Sequence, residues 1–260
     1  MIKEMREVFR YREMLFNTVR RELRARYKGS VLGFLWTFLN PLLTLLVYTL
    51  VFSAVLRVSV PQYSFGLYLF TGLLPWLFLS GSIQMSTSLI HNNANLIKKI
   101  HFPRLVLPLA MVATNLVNLL LSSLILVAAL LIERVTFSWA ILYMPLLLVV
   151  LVAFVLGLSL LLSSLTVYFR DLEHIAGIVT MAWFYLTPIV YTTGMLPPEL
   201  YAWLRFNPMT PLFDAIHDCV LYARAPEPFG LLYAAAVSVV LLVAGFLVFG
   251  RLQRRFAEEL

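Results

Sequence analysis

Apolar residues fill six long blocks of this 260-residue chain, and charged residues are confined to the intervals between them. The blocks fall near 31–56, 67–90, 105–132, 141–167, 174–192 and 230–250, and none contains Asp, Glu, Lys or Arg. About 20 apolar residues cross a ~30 Å hydrocarbon layer as a helix. Helix is required because lipid offers no partner to a free backbone N–H or C=O, and nothing alternates in the ten-residue pattern of a membrane barrel. The pattern predicts an all-α integral membrane protein with six transmembrane helices.

The intervals carry their own periodicities. Over residues 1–30, Val8, Tyr11, Leu15, Val19, Leu23 and Tyr27 recur every three or four positions, with Arg and Glu on the other faces. That is an amphipathic helix, lying in the headgroup plane or packed on a soluble partner. Gly29 and Gly33 follow it and read as a bend or a close approach at the entry to the first span. In 91–104, Asn92 or Asn93 can cap a short helix that Pro103 stops, with Leu96, Ile97 and Ile100 on one face. Three exposed apolar residues need a cover, which a docked protein or the membrane surface can provide.

The interval 193–229 is the least lipid-like. Pro197-Pro198 breaks the chain, a short helix is expected over 199–205, and Asn207-Pro208 turns it. Thr210-Pro211 then reads as the cap and first turn of a helix over 211–223. Leu212, Ile216, Cys219 and Val220 share one face of that helix, and Asp214 and Asp218 mark another. This segment is too short and too polar to span and is expected to dip partway back or to lie over the external mouth.

Composition agrees with the pattern: 61% of residues are hydrophobic, 13% are charged, and the mean hydropathy is +0.88. Net charge is +7, and nine of the twenty basic residues lie in the first thirty positions, interleaved with apolar ones. Anionic lipid headgroups, not nucleic acid, suit that arrangement. With the N-terminus inside, sixteen Lys and Arg fall on the cytoplasmic side and four outside (Arg57, Arg134, Arg205, Arg224), which places both termini in the cytoplasm. Cys219 is the only cysteine, so no intrachain disulfide forms.

Several chemistries are excluded. None of the four lysines follows a glycine, so the chain holds no G-x-x-x-x-G-K-[ST] loop and no ATPase of that class. No zinc motif, no G-x-S-x-G and no catalytic residues are apparent. The spans carry only neutral polar groups such as Asn40, Gln84, Asn115 and Asn118, which argues against a proton-coupled carrier. Energy for uphill transport must come from outside the chain. The cluster Arg170-Asp171-Leu172-Glu173-His174 reads as a charged turn, with Asp171 capping the next helix; an interaction role and acid–base chemistry are the other readings.

Certain runs resemble the membrane subunits of ABC-type polysaccharide exporters. They are Arg26 through Pro41, Lys98-Lys99-Ile100-His101-Phe102-Pro103-Arg104, Tyr168-Phe169-Arg170-Asp171, Thr187-Pro188-Ile189-Val190-Tyr191, and the pairs Asn207-Pro208 and Thr210-Pro211. The resemblance implies export of a lipid-linked glycan (O-antigen, capsule or wall teichoic acid) carried on undecaprenyl diphosphate across the bacterial plasma membrane. It implies two copies of this chain and two separate ATPase subunits, which bind ATP and Mg; this chain itself needs no cofactor. It assigns 92–102 as the coupling helix, with Leu96, Ile97, Lys98, Lys99, Ile100, Phe102 and Arg104 at the ATPase contact. It makes the N-terminal helix (1–30, ahead of a transmembrane domain 31–260) an interfacial gate where Arg20, Arg24, Arg26 and Lys28 meet the lipid diphosphate. Pro198, Pro208, Thr210, Asp214 and Asp218 would belong to an external gate built around helices within 199–223. Trp36, Phe38, Tyr48, Phe52, Trp76 and Tyr185 would line an aromatic channel at the dimer interface. A drug or small-lipid exporter, a membrane enzyme acting on lipid-linked sugars and a scaffold are the rival readings.

Overall fold

The computed structural model describes residues 7, 9–27, 29–55, 60, 62–100 and 102–260, and within these the side chains of Ala25, Arg26, Tyr27, Ala54, Val55 and Ala257 are outside the description. Val8, Lys28, Arg57 and His101 therefore lie outside the described residues, as do the side-chain roles expected of Arg26 and Tyr27. The described residues contain helices α1 (Arg12–Tyr27), α2 (Trp36–Thr49), α3 (Phe65–Asn92), α4 (Ala94–Lys99), α5 (Val106–Ile132) and α6 (Met144–Leu165). They continue with α7 (Leu172–Tyr185), α8 (Pro198–Leu204), α9 (Met209–Val220), α10 (Pro228–Leu252) and α11 (Phe256–Glu259).

Among the described residues, five segments are long and apolar enough to cross a membrane: Gly33–Ser53, Phe65–Asn92, Val106–Ile132, Trp139–Leu165 and Pro228–Arg255. They match five of the six expected blocks. The sixth differs. The block 174–192 is not one helix: α7 has 14 residues, about 21 Å at 1.5 Å per residue, short of the ~30 Å layer. After Tyr185 the chain turns through 186–191, where Thr187, Pro188, Ile189 and Val190 are buried against the bundle. Pro188 denies the helix an N–H, so the apolar run continues as a packed turn.

α3 is the central element, with Leu69, Leu79 and Ile90 fully enclosed along it and contacts to α2, α5, α6, α7 and α9. Ser64 caps it, its Oγ accepting from Leu67 N at 3.2 Å, and Glu133 from the α5–α6 turn accepts from Ser64 N at 3.2 Å. α6 and α10 share the most extensive helix pair. Gly157 makes that possible: a Cβ there would lie 2.5 Å from Leu242 N, and one on Gly245 would lie 2.5 Å from the Gly157 carbonyl oxygen. Backbones meet directly, so dispersion contacts substitute for the hydrophobic drive that lipid does not supply.

Pro41 inside α2 has no N–H to offer the Thr37 carbonyl one turn back. Ser122 on α5 donates to that carbonyl at 3.1 Å, which satisfies the group and ties the two helices. Gly29 and Gly33 take φ of 81° and 49°, and a Cβ at either would meet nothing within 4 Å. They are bend residues and not a packing motif.

Candidate functional site

α1, α4 and α11 lie at one end of the bundle, termed proximal. α1 packs on the first half of α5, where Thr114 Oγ1 donates to Glu22 at 3.3 Å, and α11 packs on α4. The α8–α9 hairpin lies toward the distal end.

On α1, Arg20 and Arg24 stand one turn apart on a face that also carries Phe16 and Leu23. With Phe34 they border an open cup of about 800 Å³. Two guanidinium groups over apolar side chains suit an anion on a greasy tail: the forks pair with phosphate oxygens while the rings meet acyl chain. Two of the four expected basic residues are thus brought together.

The short proximal helix differs from expectation. α3 runs on through Asn92, and α4 covers only 94–99 instead of 92–102. Neither asparagine caps it: Asn93 has no side-chain cap bond and its Nδ2 donates back to the Leu89 carbonyl at 2.9 Å. The three apolar residues do not form one exposed face. Ile97 is 5% exposed and Leu96 half-buried, because α3 and α11 cover them; Ile100 remains out, at 55%. Phe102 is buried as well. Arg104 lies with its guanidinium 5.9 Å from the Phe256 ring, and Phe256 is fully enclosed. Exposed Lys98, Lys99 and Ile100 thus sit on a base packed against the C-terminal segment.

The expected channel aromatics divide into two groups. Tyr48 stacks on Phe184 at 5.4 Å, Phe52 meets Tyr48 and Phe65 at 6.3 Å, and Tyr185 meets Phe184 edge-on at 5.2 Å. Trp76 continues the series to Phe184, Trp183 and Phe213. Within the single subunit Trp76 is enclosed and Tyr185 is open. Trp36 and Phe38 stand apart, with Trp36 Nε1 donating to Ser30 Oγ at 3.1 Å and Phe38 against Phe34 at 5.6 Å.

The distal hairpin is built on Asn207. Its Nδ2 donates to the Leu186 carbonyl at 2.9 Å and to Thr187 Oγ1 at 3.1 Å, and its Oδ1 accepts from Trp183 Nε1 at 2.9 Å and Met209 N at 3.0 Å. This fastens the α8–α9 turn to the end of α7. Phe213 on α9 then meets Trp76, which lies about 16 Å along α3 from its distal start at 1.5 Å per residue. α9 thus packs against α3. Pro198 opens α8, and Pro208 stands where the cap of α9 belongs. Thr210 does not cap: the helix begins at Met209, and Thr210 Oγ1 is buried without a partner. Asp171, likewise, makes no cap bond to α7.

Asp214 and Asp218 face a distal cup of about 690 Å³, together with Tyr201, Arg205, Arg224 and Tyr233. Burial, helped by the neighbouring Asp218 carboxylate, lifts the Asp214 carboxyl to about 7. Burial also raises Asp218, against the pull of Arg224. His217 is fully buried, its ring stacked on Tyr68 at 4.1 Å and its Nε2 3.1 Å from the Tyr68 carbonyl. Burial lowers it to about 4, so it is neutral and Nε2–H donates. Arg170 and Asp171 form an exposed turn, and Leu172, Glu173 and His174 open α7, with Leu172 half-buried. Among the described residues no three His, Cys, Asp or Glu side chains converge to hold a metal ion.

A model of the ABC-2 type transporter family matches residues 14–221. The chain belongs to this family. It is 38% identical over 262 residues to an O-antigen export system permease of Myxococcus xanthus, with 100% of both chains covered. It is 35% identical to one of Klebsiella pneumoniae, over 95% of each chain. A polysialic acid transport protein of Escherichia coli is 23% identical over 88% of this chain and 89% of its own. Membership in the ABC-2 family makes the chain a membrane-embedded transport component that works with a separate ATPase.

Within this ABC-2 chain, sequence reasoning missed Asn207 as an anchor, reading it only as a turn, and missed His217 and Tyr68 altogether. A side chain that bonds residues 21 positions away leaves no periodic signal. Arg205 and Arg224 were legible only as external charges. Asp214 and Asp218, four apart on one helix, were the one local hint of a polar cup.

Proposed function

We propose that this chain is the transmembrane subunit of an ATP-driven exporter that carries an O-antigen-type polysaccharide on a lipid diphosphate across the bacterial plasma membrane. The observation that carries the reading is the full-length relationship to the Myxococcus O-antigen permease. Capsule-type relatives at greater distance, among them a polysaccharide export inner-membrane protein of Neisseria meningitidis, point to the same substrate class. The chain has no phosphate-binding lysine loop, so ATP and Mg belong to the ATPase subunits, two for each pair of these chains.

The proximal end faces the cytoplasm, where most of the Lys and Arg lie. There Arg20 and Arg24 receive the lipid diphosphate, and Lys98, Lys99 and Ile100 meet the ATPase. The α8–α9 hairpin gates the far side. The uncovered apolar faces of α2 and α7, including Leu46, Val47, Ile178 and Tyr185, receive the second copy. Purification in mild detergent, after co-expression with the ATPase encoded beside its gene, tests the proposal. A stable two-plus-two complex that hydrolyses ATP is the expected result. A chain that purifies alone, and whose deletion leaves glycan export intact, overturns it.

A further inference from the structure

Four carboxamide side chains that the sequence scatters over three spans converge in the structure. Asn40 on α2, Gln84 on α3, and Asn115 and Asn118 on α5 border one groove of about 530 Å³, with Ser30 and Trp36 at its proximal mouth. Its other walls are mostly apolar, and none of its lining side chains is charged.

The amides differ in their partners. Asn115 is occupied: its Nδ2 donates to Ser82 Oγ at 3.1 Å and lies 3.5 Å from the sulfurs of Met85 and Met111. Asn118 is not: both Nδ2 and Oδ1 are shielded within the chain and have no partner. Asn40 and Gln84 are exposed on the groove surface. In a hydrocarbon layer an unpaired amide is costly, and a leucine would serve a lipid-facing wall better. The floor is open beside Gly81, where a Cβ would meet nothing within 4 Å. Space and unspent hydrogen-bonding capacity therefore coincide, midway along otherwise apolar helices.

We propose that this groove is a subsite for the sugar rings of the passing glycan, a neutral hydroxyl-rich ligand; the inference rests on the export reading above. A carboxamide presents donors and an acceptor side by side, matching hydroxyls that both donate and accept. Trp36 at the mouth offers an aromatic face for the apolar side of a ring. The absence of charge keeps each contact weak, so a polymer moves from one set of amides to the next without being trapped. The unpaired amide of Asn118 turns to the ligand once sugar enters.

The test installs a benzophenone amino acid in place of Gly81 and, separately, Gln84, in the intact transporter with its ATPase in cells making the glycan. Illumination is expected to attach a polydisperse high-mass ladder to the chain. The ladder disappears when glycan synthesis is stopped and is at least tenfold stronger than with the probe at Leu120, which is exposed on α5. A sharp band at about twice the chain's 29.7 kDa assigns the groove to a helix of a second copy and overturns the proposal. A phospholipid adduct alone overturns it in favour of a lipid-filled crevice. Asn118→Leu removes only unpartnered groups, so the purified transporter is expected to melt no lower while export slows about tenfold; undiminished export overturns the subsite. Deleting the chain separates the two levels of argument. Glycan retained inside the cell, with no ladder at Gly81, ends the subsite and leaves the export role standing. Glycan exported without the chain ends the export role itself.

Discussion

Asn207 uses its whole carboxamide, two donated and two accepted bonds, to join the end of α7 to the start of α9. Leucine at this position strands the Trp183 indole N–H, the Leu186 carbonyl and the Met209 N–H. At about 1–3 kcal/mol per orphaned buried group, partly recovered by water, Asn207→Leu is expected to cost about 2–4 kcal/mol. Denaturation of the purified complex, followed by Trp fluorescence, measures this. Asp214 supplies a pH test. Its carboxyl titrates at about 7 in the folded chain against an ordinary 3.8, so the folded state binds the proton more tightly than the unfolded one. That stabilisation is complete below about pH 4 and is lost as pH rises through about 7. The fall in Tm across that window is expected to be smaller in Asp214→Asn, as thermal scans at several pH values will register.

Among the elements, the α6–α10 pair carries the sharpest expectation. Gly157 and Gly245 bring two backbones within 2.5 Å of where a Cβ would stand. Gly157→Ala must therefore push the helices apart, at about 1–3 kcal/mol. A lowered Tm with unchanged helix content by circular dichroism is the expected signature, whereas Gly177→Ala, where the Cβ position is open, should leave Tm unmoved. α4 shows the opposite economy. Six residues cannot hold a helix by themselves, so its buried Ile97, half-buried Leu96 and the α11 cover anchor it.

At the scale of the whole molecule, the proximal end gathers the basic cup of α1 and the exposed tip of α4 on one face. Ile100 is exposed, so Ile100→Asp leaves the fold intact; a charge placed in the proposed ATPase contact is expected to weaken assembly roughly tenfold or more. Co-purification yield of the ATPase reports the effect. Reversing Arg20 and Arg24 together to Glu is expected to slow glycan export about tenfold while assembly persists, since the lipid diphosphate proposed to bind there then meets carboxylates. Export equal to wild type would reduce the cup to a membrane anchor for α1.

Five spans, their order, the charge asymmetry and the two short distal helices were legible in the chain itself. Partition into lipid adds residue by residue, and turn chemistry at Pro197-Pro198 and Asn207-Pro208 is local. What tertiary structure alone decided is which side of each helix is covered. A helix apolar on every face carries no stripe to read, because lipid and protein neighbours ask for the same side chains. Hence the burial of Ile97, the shortening of the fifth block to α7, the Asn207 anchor and the meeting of Asn40, Gln84 and Asn118 at one groove became visible only once α2, α3, α5 and α7 had been packed together.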